Sequence, residues 1–192
     1  DDPKINGVAI YCRKMPKAIM FGLGFMDFDH LGIYIQADYE NCSIGSILVP
    51  SAVGVRGDKA LKMRFLTQLG AHLQKVRNKK RDFILCGGWE LAWQPRDAEE
   101  AGGRFDLPGF SHEEQDWLGS LYREGYSDAF REVNANGDDY TWWPEGDERP
   151  GLRTDTHIIS ESLSPCVLAA RIESEEAFSS HAPVIIDYDI EL

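Results

Sequence analysis

Apolar positions recur at helical spacing through 58–80. Leu61, Phe65, Leu69, Leu73 and Val76 fall on one face of a 3.6-residue turn, which predicts an amphipathic helix. The basic run at 75–81 (Lys-Val-Arg-Asn-Lys-Lys-Arg) closes it and reads as a solvated helix end, where cations suit the dipole. Ser111 and Glu114 form a Ser-x-x-Glu capping box that opens a second helix. That helix carries Trp117, Leu118, Leu121 and Tyr122 on one side and closes at Gly125. A short third helix is predicted at 127–133.

Elsewhere the apolar residues cluster in short β-prone runs at 5–12, 18–21, 32–38, 42–49, 82–86, 140–143, 155–159, 166–172 and 184–189. The gap Tyr39-Glu40-Asn41 predicts a hairpin between the third and fourth runs, while 94–109 and 144–151 read as loops. Gly87-Gly88 is expected to break the strand at 82–86, and a strand running into a Gly-rich loop is where α/β folds place their sites. Strands outnumber helices and often pair with a neighbour in sequence. The pattern predicts mixed sheets flanked by a few helices, an α/β sandwich.

A length of 192 residues fits a single domain spanning 1–192, with a core that needs no disulfide or metal staple. With 43% hydrophobic and 27% charged residues, the chain reads as globular rather than disordered. No apolar run approaches the length of a membrane span. The opening Asp1-Asp2-Pro3-Lys4 lacks an initiator Met and is expected to lie inside a longer protein, so a missing leader says nothing about targeting. Cys12, Cys42, Cys86 and Cys166 form no Cys-x-x-Cys pair and sit beside apolar stretches. They read as small buried hydrophobes in a reducing compartment, not as a zinc site. The net charge of −12 argues against tight non-specific binding of nucleic acid, without excluding a local basic face.

Motifs along the chain narrow this further. In order they are Gly7-Val-Ala-Ile-Tyr11, Tyr34-Ile-Gln-Ala-Asp38, Cys86-Gly-Gly-Trp-Glu90, Thr141-Trp-Trp143, Gly151-Leu-Arg-Thr-Asp155 and Phe178-Ser-Ser-His-Ala-Pro183, closing on Asp187-Tyr-Asp189. Together they resemble the endonuclease/exonuclease/phosphatase family, in particular its exonuclease III-like members. The resemblance implies the four-layer α/β sandwich of DNase I and exonuclease III. The family's first strand with its Asn, and its Gln-Glu-Thr-Lys motif, have no counterpart here, so the N-terminal part of that domain is expected to be missing.

The resemblance also implies a site. Members use an Asp and an Asn from a Gly-Asp-x-Asn loop, a phosphate-contacting Tyr, an Asp-His pair, a second Asp that orients the His, and Mg²⁺. In this chain Gly88 stands at the loop Asp, Glu90 at the Asn, Leu48 at the Tyr, Ser180 at the Asp before the His, and Ile33 at the Arg of a Gly-Arg signature. His181 and its expected partner Asp155 survive as a residual dyad. Glu90 is a possible substitute carboxylate and metal ligand; the plainer expectation is a surface Glu in a relaxed loop. Trp142 is expected in the core, and Trp89 either in the core or on the cleft.

Within the family, Leu48-Val-Pro-Ser51, Trp142-Trp-Pro144 and Ser180-His181 resemble the catabolite repression control (Crc) branch. That likeness implies a cytoplasmic, catalytically degenerate regulator acting with an Hfq-type RNA chaperone on mRNA, without cofactor or membrane, and it is the leading expectation. The alternative is a Mg²⁺-dependent exodeoxyribonuclease III or AP endonuclease acting on abasic or duplex DNA in repair. A third expectation is a pseudoenzyme that stabilises another protein.

Overall fold

The computed structural model describes residues 7–52, 57–98, 109–135, 139–143, 151–175 and 179–192. Among them the strands are β1 (Ala18–Phe21), β2 (Tyr34–Asp38), β3 (Cys42–Leu48), β4 (Asp82–Gly88), β5 (Tyr126–Asp128), β6 (Asp155–Ser160), β7 (Val167–Ile172) and β8 (Val184–Tyr188). The α-helices are α1 (Lys59–Asn78), α2 (His112–Arg123) and α3 (Ala129–Val133).

Six strands form one mixed sheet in the order β1-β2-β3-β4-β6-β5. β1, β2 and β3 meander antiparallel, with the hairpin at 39–41. β3 and β4 are parallel, which requires a crossover, and α1 supplies it. β6 then inserts antiparallel between β4 and β5. β7 and β8 pair separately.

Alternation along β4 sorts the layers. Phe83 and Leu85 join Trp89 in the core beneath α1 and α2, with Phe65, Leu66, Leu69, Leu73, Leu118 and Leu121. Ile84 faces the other way, against Ile159, Leu163 and Val167, with Ile186 and Tyr188 packed alongside. Helices, the larger sheet and the smaller sheet thus stack as the sandwich that the sequence predicts. Each fully buried Leu of α1 is worth about 1.5–3 kcal/mol of transfer free energy.

α1 begins where Asp58 accepts the Leu61 N–H at 3.0 Å. α2 begins at the predicted box: Ser111 N–H and Oγ–H both donate to Glu114 Oε2, at 2.9 and 2.7 Å. Gly125 closes it with φ +94°.

Several expectations are corrected. Residues 7–12 form no strand; Val8 N–H donates to Gly32 O, but Tyr11 is 97% exposed, and 5–6 lie outside the described residues. The stretch 127–133 divides into β5 and α3, because Asp128 ends the strand and caps the helix by accepting Phe130 N–H. The strand at 140–143 reduces to single bridges from Trp142 to Leu152 and to His181. Cys12 is exposed rather than buried, and all four cysteines are free. Gly87-Gly88 does not break β4 but completes it. A Cβ on Gly87, at φ +145°, would stand 1.9 Å from the Ile47 carbonyl oxygen, so glycine is what lets β4 run this close to β3. Among the described residues no helix is long and apolar enough to cross a membrane.

Candidate active site

The ladder places three of the sequence-selected positions in a row. Leu48 on β3 pairs with Gly88 on β4, and Gly88 pairs with Asp155 on β6. Neighbours in register share a face, so the three positions present to one side of the sheet. A cavity of about 270 Å³ opens there, lined by Gly87, Gly88, Asp155, His157 and Pro183 among others. Leu48 packs at the edge of the core, and its Cδ1 would lie 3.2 Å from a Cβ at Gly88.

Asp155 and His181 come together. Asp155 Oδ2 lies 2.9 Å from His181 Nδ1. The same oxygen accepts the Thr141 hydroxyl at 2.8 Å and the Thr154 hydroxyl at 3.1 Å. Thr141 Oγ1 in turn accepts the backbone N–H groups of Thr154 and Asp155, at 2.9 and 3.0 Å. His181 is carried to this point by its backbone bridge to Trp142, which also bridges Leu152, the residue before Arg153. Burial works against the imidazolium, but the hydrogen bond and charge of Asp155, with the charge of Glu90, outweigh it and raise the His181 pKa. Ser180 sits beside the dyad, half-buried, and its carbonyl accepts Trp143 N–H.

Glu90 is no relaxed surface residue. Its backbone is left-handed, φ +56°, and its side chain is half-buried. Burial pushes its carboxyl pKa up, held back by Lys62, by a hydrogen bond with Ser51 and by His181, and aided by Asp155. Glu90, Asp155 and His181 are therefore close enough to act on one another's charge. Lys62 reaches the Glu90 carbonyl at 2.5 Å and Glu114 Oε1 at 2.6 Å from inside the core.

A second buried network fixes the start of β6. Arg153 Nε donates to Asp97 Oδ1 at 2.9 Å and Nη2 to Asp128 Oδ2 at 2.6 Å. Thr156 adds a bond to Asp128, and Arg131 to Asp97. Ionised partners of this kind hold geometry, and breaking one leaves a buried charge unpaired. Asp155 lies between two of these anchors, Arg153 and Thr156.

Trp89 is buried in the core beneath the helices, its Nε1–H donating to Thr156 O at 3.2 Å, so it does not line the cleft. Trp142 is half-buried against Ala92, Phe110 and Leu152, and Trp143 is 38% exposed. Sequence reasoning missed Lys62 and Thr141. A signal for each was present: Lys62 falls on the apolar stripe of α1 three residues before Phe65, and Thr141 opens the Thr-Trp-Trp motif.

Mg²⁺ usually binds through one or two carboxylates and keeps waters and phosphate oxygens in its remaining positions. Glu90 and Asp155 supply two carboxylates to one region. Among the described residues no group of three or more His, Cys, Asp or Glu is placed to hold a metal, so a closed all-protein site is not built here. The donor set fits a hydrated Mg²⁺ that shares a phosphate.

The fold is similar to that of solved exonuclease III-like and AP endonuclease structures. The 3′ phosphatase NExo from Neisseria, solved with a product DNA hairpin, superposes with a TM-score of 0.80 at 20% identity, over 93% of this chain and 73% of that one. No family model matches the chain. By sequence it is 29% identical over 189 residues to Recombination repair protein 1 of Drosophila melanogaster, covering 96% of this chain but 28% of that protein. It is 26% identical over 186 residues to an exodeoxyribonuclease of Bacillus subtilis, covering 93% of this chain and 73% of the relative. The chain thus spans little more than a quarter of the first relative and about three quarters of the second. These likenesses support the exonuclease III/AP endonuclease-like part of the endonuclease/exonuclease/phosphatase superfamily. They lend no support to the Crc branch.

Proposed function

We propose that this chain is a Mg²⁺-dependent phosphodiester hydrolase acting on DNA, of the exodeoxyribonuclease and AP endonuclease type. This reverses the order of the two leading expectations. The observation that carries it is the Asp155–His181 pair, with the half-buried carboxylate of Glu90 near enough to bear on its charge.

With Nδ1–H donating to Asp155, neutral His181 keeps Nε2 as a base. It takes the proton of a water that attacks phosphorus as the bond to the leaving oxygen breaks. Asp155 holds the ring in this tautomer and stabilises the imidazolium that forms. Thr141 and Thr154 keep the Asp155 oxygen in place. Mg²⁺, when bound, polarises a phosphate oxygen and offsets the repulsion between that phosphate and Glu90. Glu90 and Asp155 are the residues that would hold it. Gly88 and Leu48 contribute neither the family's loop carboxylate nor its hydroxyl, so the rate should lie well below that of a fully equipped enzyme.

The test is incubation of the purified chain with end-labelled duplexes carrying an abasic analogue or a recessed 3′ end, with Mg²⁺ or with chelator. Strand cleavage that needs Mg²⁺ and disappears in a Glu90→Ala/His181→Ala variant is expected. Cleavage no greater than that variant's refutes the proposal. A second reading keeps the Crc-type regulator, an Hfq-type chaperone partner and mRNA. It is favoured by Gly88, Ser180 and Leu48, where neither the family's two Asp carboxylates nor its Tyr hydroxyl is replaced. Absence of cleavage together with Mg²⁺-independent retention of A-rich RNA by the chaperone complex would select it.

A further inference from the structure

We propose that Lys62 is a positioning residue for this site, locking residue 90 in its left-handed conformation so that the Glu90 carboxylate is held beside Asp155 and His181. The inference rests on the reading of Glu90 as part of the active site.

A residue with a side chain rarely adopts φ near +56°, and such a conformation persists where its surroundings over-determine it. Here they do so from two sides. From α1, the Lys62 ammonium donates to the Glu90 carbonyl. From the loop before α2, Gly109 packs so close that a Cβ on it would stand 2.6 Å from the same oxygen, and Gly109 O accepts Ala92 N–H. Lys62 is 1% exposed and Glu114 2%, so neither charge gains from water. Burying an ion pair is a weak route to stability, since desolvation offsets most of the attraction. A position three residues before Phe65 on the buried stripe would ordinarily hold an apolar side chain. What the lysine adds over such a residue is a charged donor aimed at one carbonyl.

Glu114 completes the device. Its Oε1 accepts from Lys62 while its Oε2 accepts both Ser111 groups of the capping box. The N-terminus of α2 is thereby tied to residue 90 through a single ammonium group. Lys62 touches no reacting atom in this scheme; it acts only through the backbone of Glu90.

The test uses the charge-neutral pair Lys62→Met/Glu114→Gln, which removes the donor without stranding a buried charge. The ¹³Cα and ¹³Cβ shifts and the HN–Hα coupling of residue 90 report its φ directly and need no substrate. They are expected to leave left-handed values while amides elsewhere keep their dispersion, and Mg²⁺-dependent cleavage is expected to fall about as far as in Glu90→Ala, on the order of 10²-fold. Residue 90 remaining left-handed in the pair overturns the inference. So does a residue 90 that moves while cleavage stays at the wild-type rate and Glu90→Ala loses it. If Glu90→Ala keeps full activity, the reading of Glu90 as catalytic fails, and the shifts of residue 90 still decide what Lys62 does. Should the pair not fold, Lys62→Gln/Glu114→Gln, which keeps a neutral polar pair but a donor shorter than the lysine, carries the same expectation.

Discussion

Asp155 Oδ2 accepts from two threonine hydroxyls and lies 2.9 Å from His181 Nδ1, so one carboxylate oxygen fixes the position of the ring. Asp155→Asn keeps the shape and removes the charge. Cleavage should fall by roughly 10²–10⁴-fold. The pH profile should also move. In the wild type the folded His181 pKa is raised, so neutral His181, and with it the rate, grows as pH rises through that raised value. Without the Asp155 charge the acid limb should shift to lower pH. The stabilising effect of the pair runs the opposite way: it is fully present below the unfolded His pKa and lost as pH rises through the folded one. Rate–pH profiles of the two proteins, with parallel melting curves, check both signs.

Gly88 can be refilled. Its backbone lies outside the left-handed region, and a Cβ there would meet Leu48 Cδ1 at 3.2 Å and Asp155 Oδ1 at 3.5 Å. The first contact is the far end of a flexible side chain. Gly88→Asp should fold and raise the Mg²⁺-dependent rate by roughly 10²-fold, the scale of one restored acid–base or liganding group. Without Mg²⁺ it should be less stable than the wild type, since it faces Asp155 across the ladder. Gly87→Ala, one residue earlier, should cost ~3 kcal/mol or more, because the Ile47 carbonyl occupies its Cβ position. Melting temperatures with and without Mg²⁺, and single-turnover cleavage, separate the two glycines.

The fold was legible where local periodicity and capping chemistry act alone. The stripe Phe65, Leu69 and Leu73 and the Ser111–Glu114 box set α1 and α2 within a residue or two. The orientation of Trp89 was also written in the chain, since strand parity puts it with Phe83 and Leu85 and opposite Gly88. The motif Gly-Leu-Arg-Thr-Asp pointed to Asp155, and Ser-His-Ala-Pro to His181. Tertiary effects stayed out of reach. The Glu90 carbonyl is bound by a lysine 28 residues away, and Thr141 matters through an aspartate 14 residues on. β5 is three residues long and exists only because β6 is there to pair with it.

Glu90 should lower stability while serving the site. Its pKa is raised on folding, chiefly by burial, so the folded chain holds the proton more tightly than the unfolded one. Stability therefore falls as pH rises from the ordinary Glu pKa to the raised value, and stays reduced above it. Glu90→Gln removes this loss. Its melting temperature should match the wild type at about pH 4, near the ordinary Glu pKa, and exceed it once the pH has passed the raised value. Each kcal/mol corresponds to about 2–4 °C at this chain length. A higher melting point with lost cleavage is the pattern of a residue kept for chemistry. Equal melting points at both values would place the carboxylate in water.

His157 carries the opposite sign from His181, though both imidazoles border β6. Burial pushes its pKa down to about 4, and the Asp128 charge only partly opposes this. Its Nδ1 lies 3.0 Å from the Tyr188 hydroxyl, and the two rings stack with centroids 6.0 Å apart. The neutral ring is thus what joins the two sheets at this point. Between about pH 6.5 and 4 the unfolded chain takes a proton that the folded one refuses, so stability should drop by about 3 kcal/mol on acidification through that window. His157→Phe keeps the stack and cannot be protonated, but it leaves the Tyr188 hydroxyl without its partner. At pH 7 that variant should be less stable than the wild type by about 1 kcal/mol. Near the lower end of the window the order should reverse, because only the wild type then carries the proton penalty. Denaturant unfolding of both proteins at the two pH values measures the crossing. Parallel curves at both would show that His157 ionises freely in the folded chain, with its ring open to water rather than clasped between the sheets.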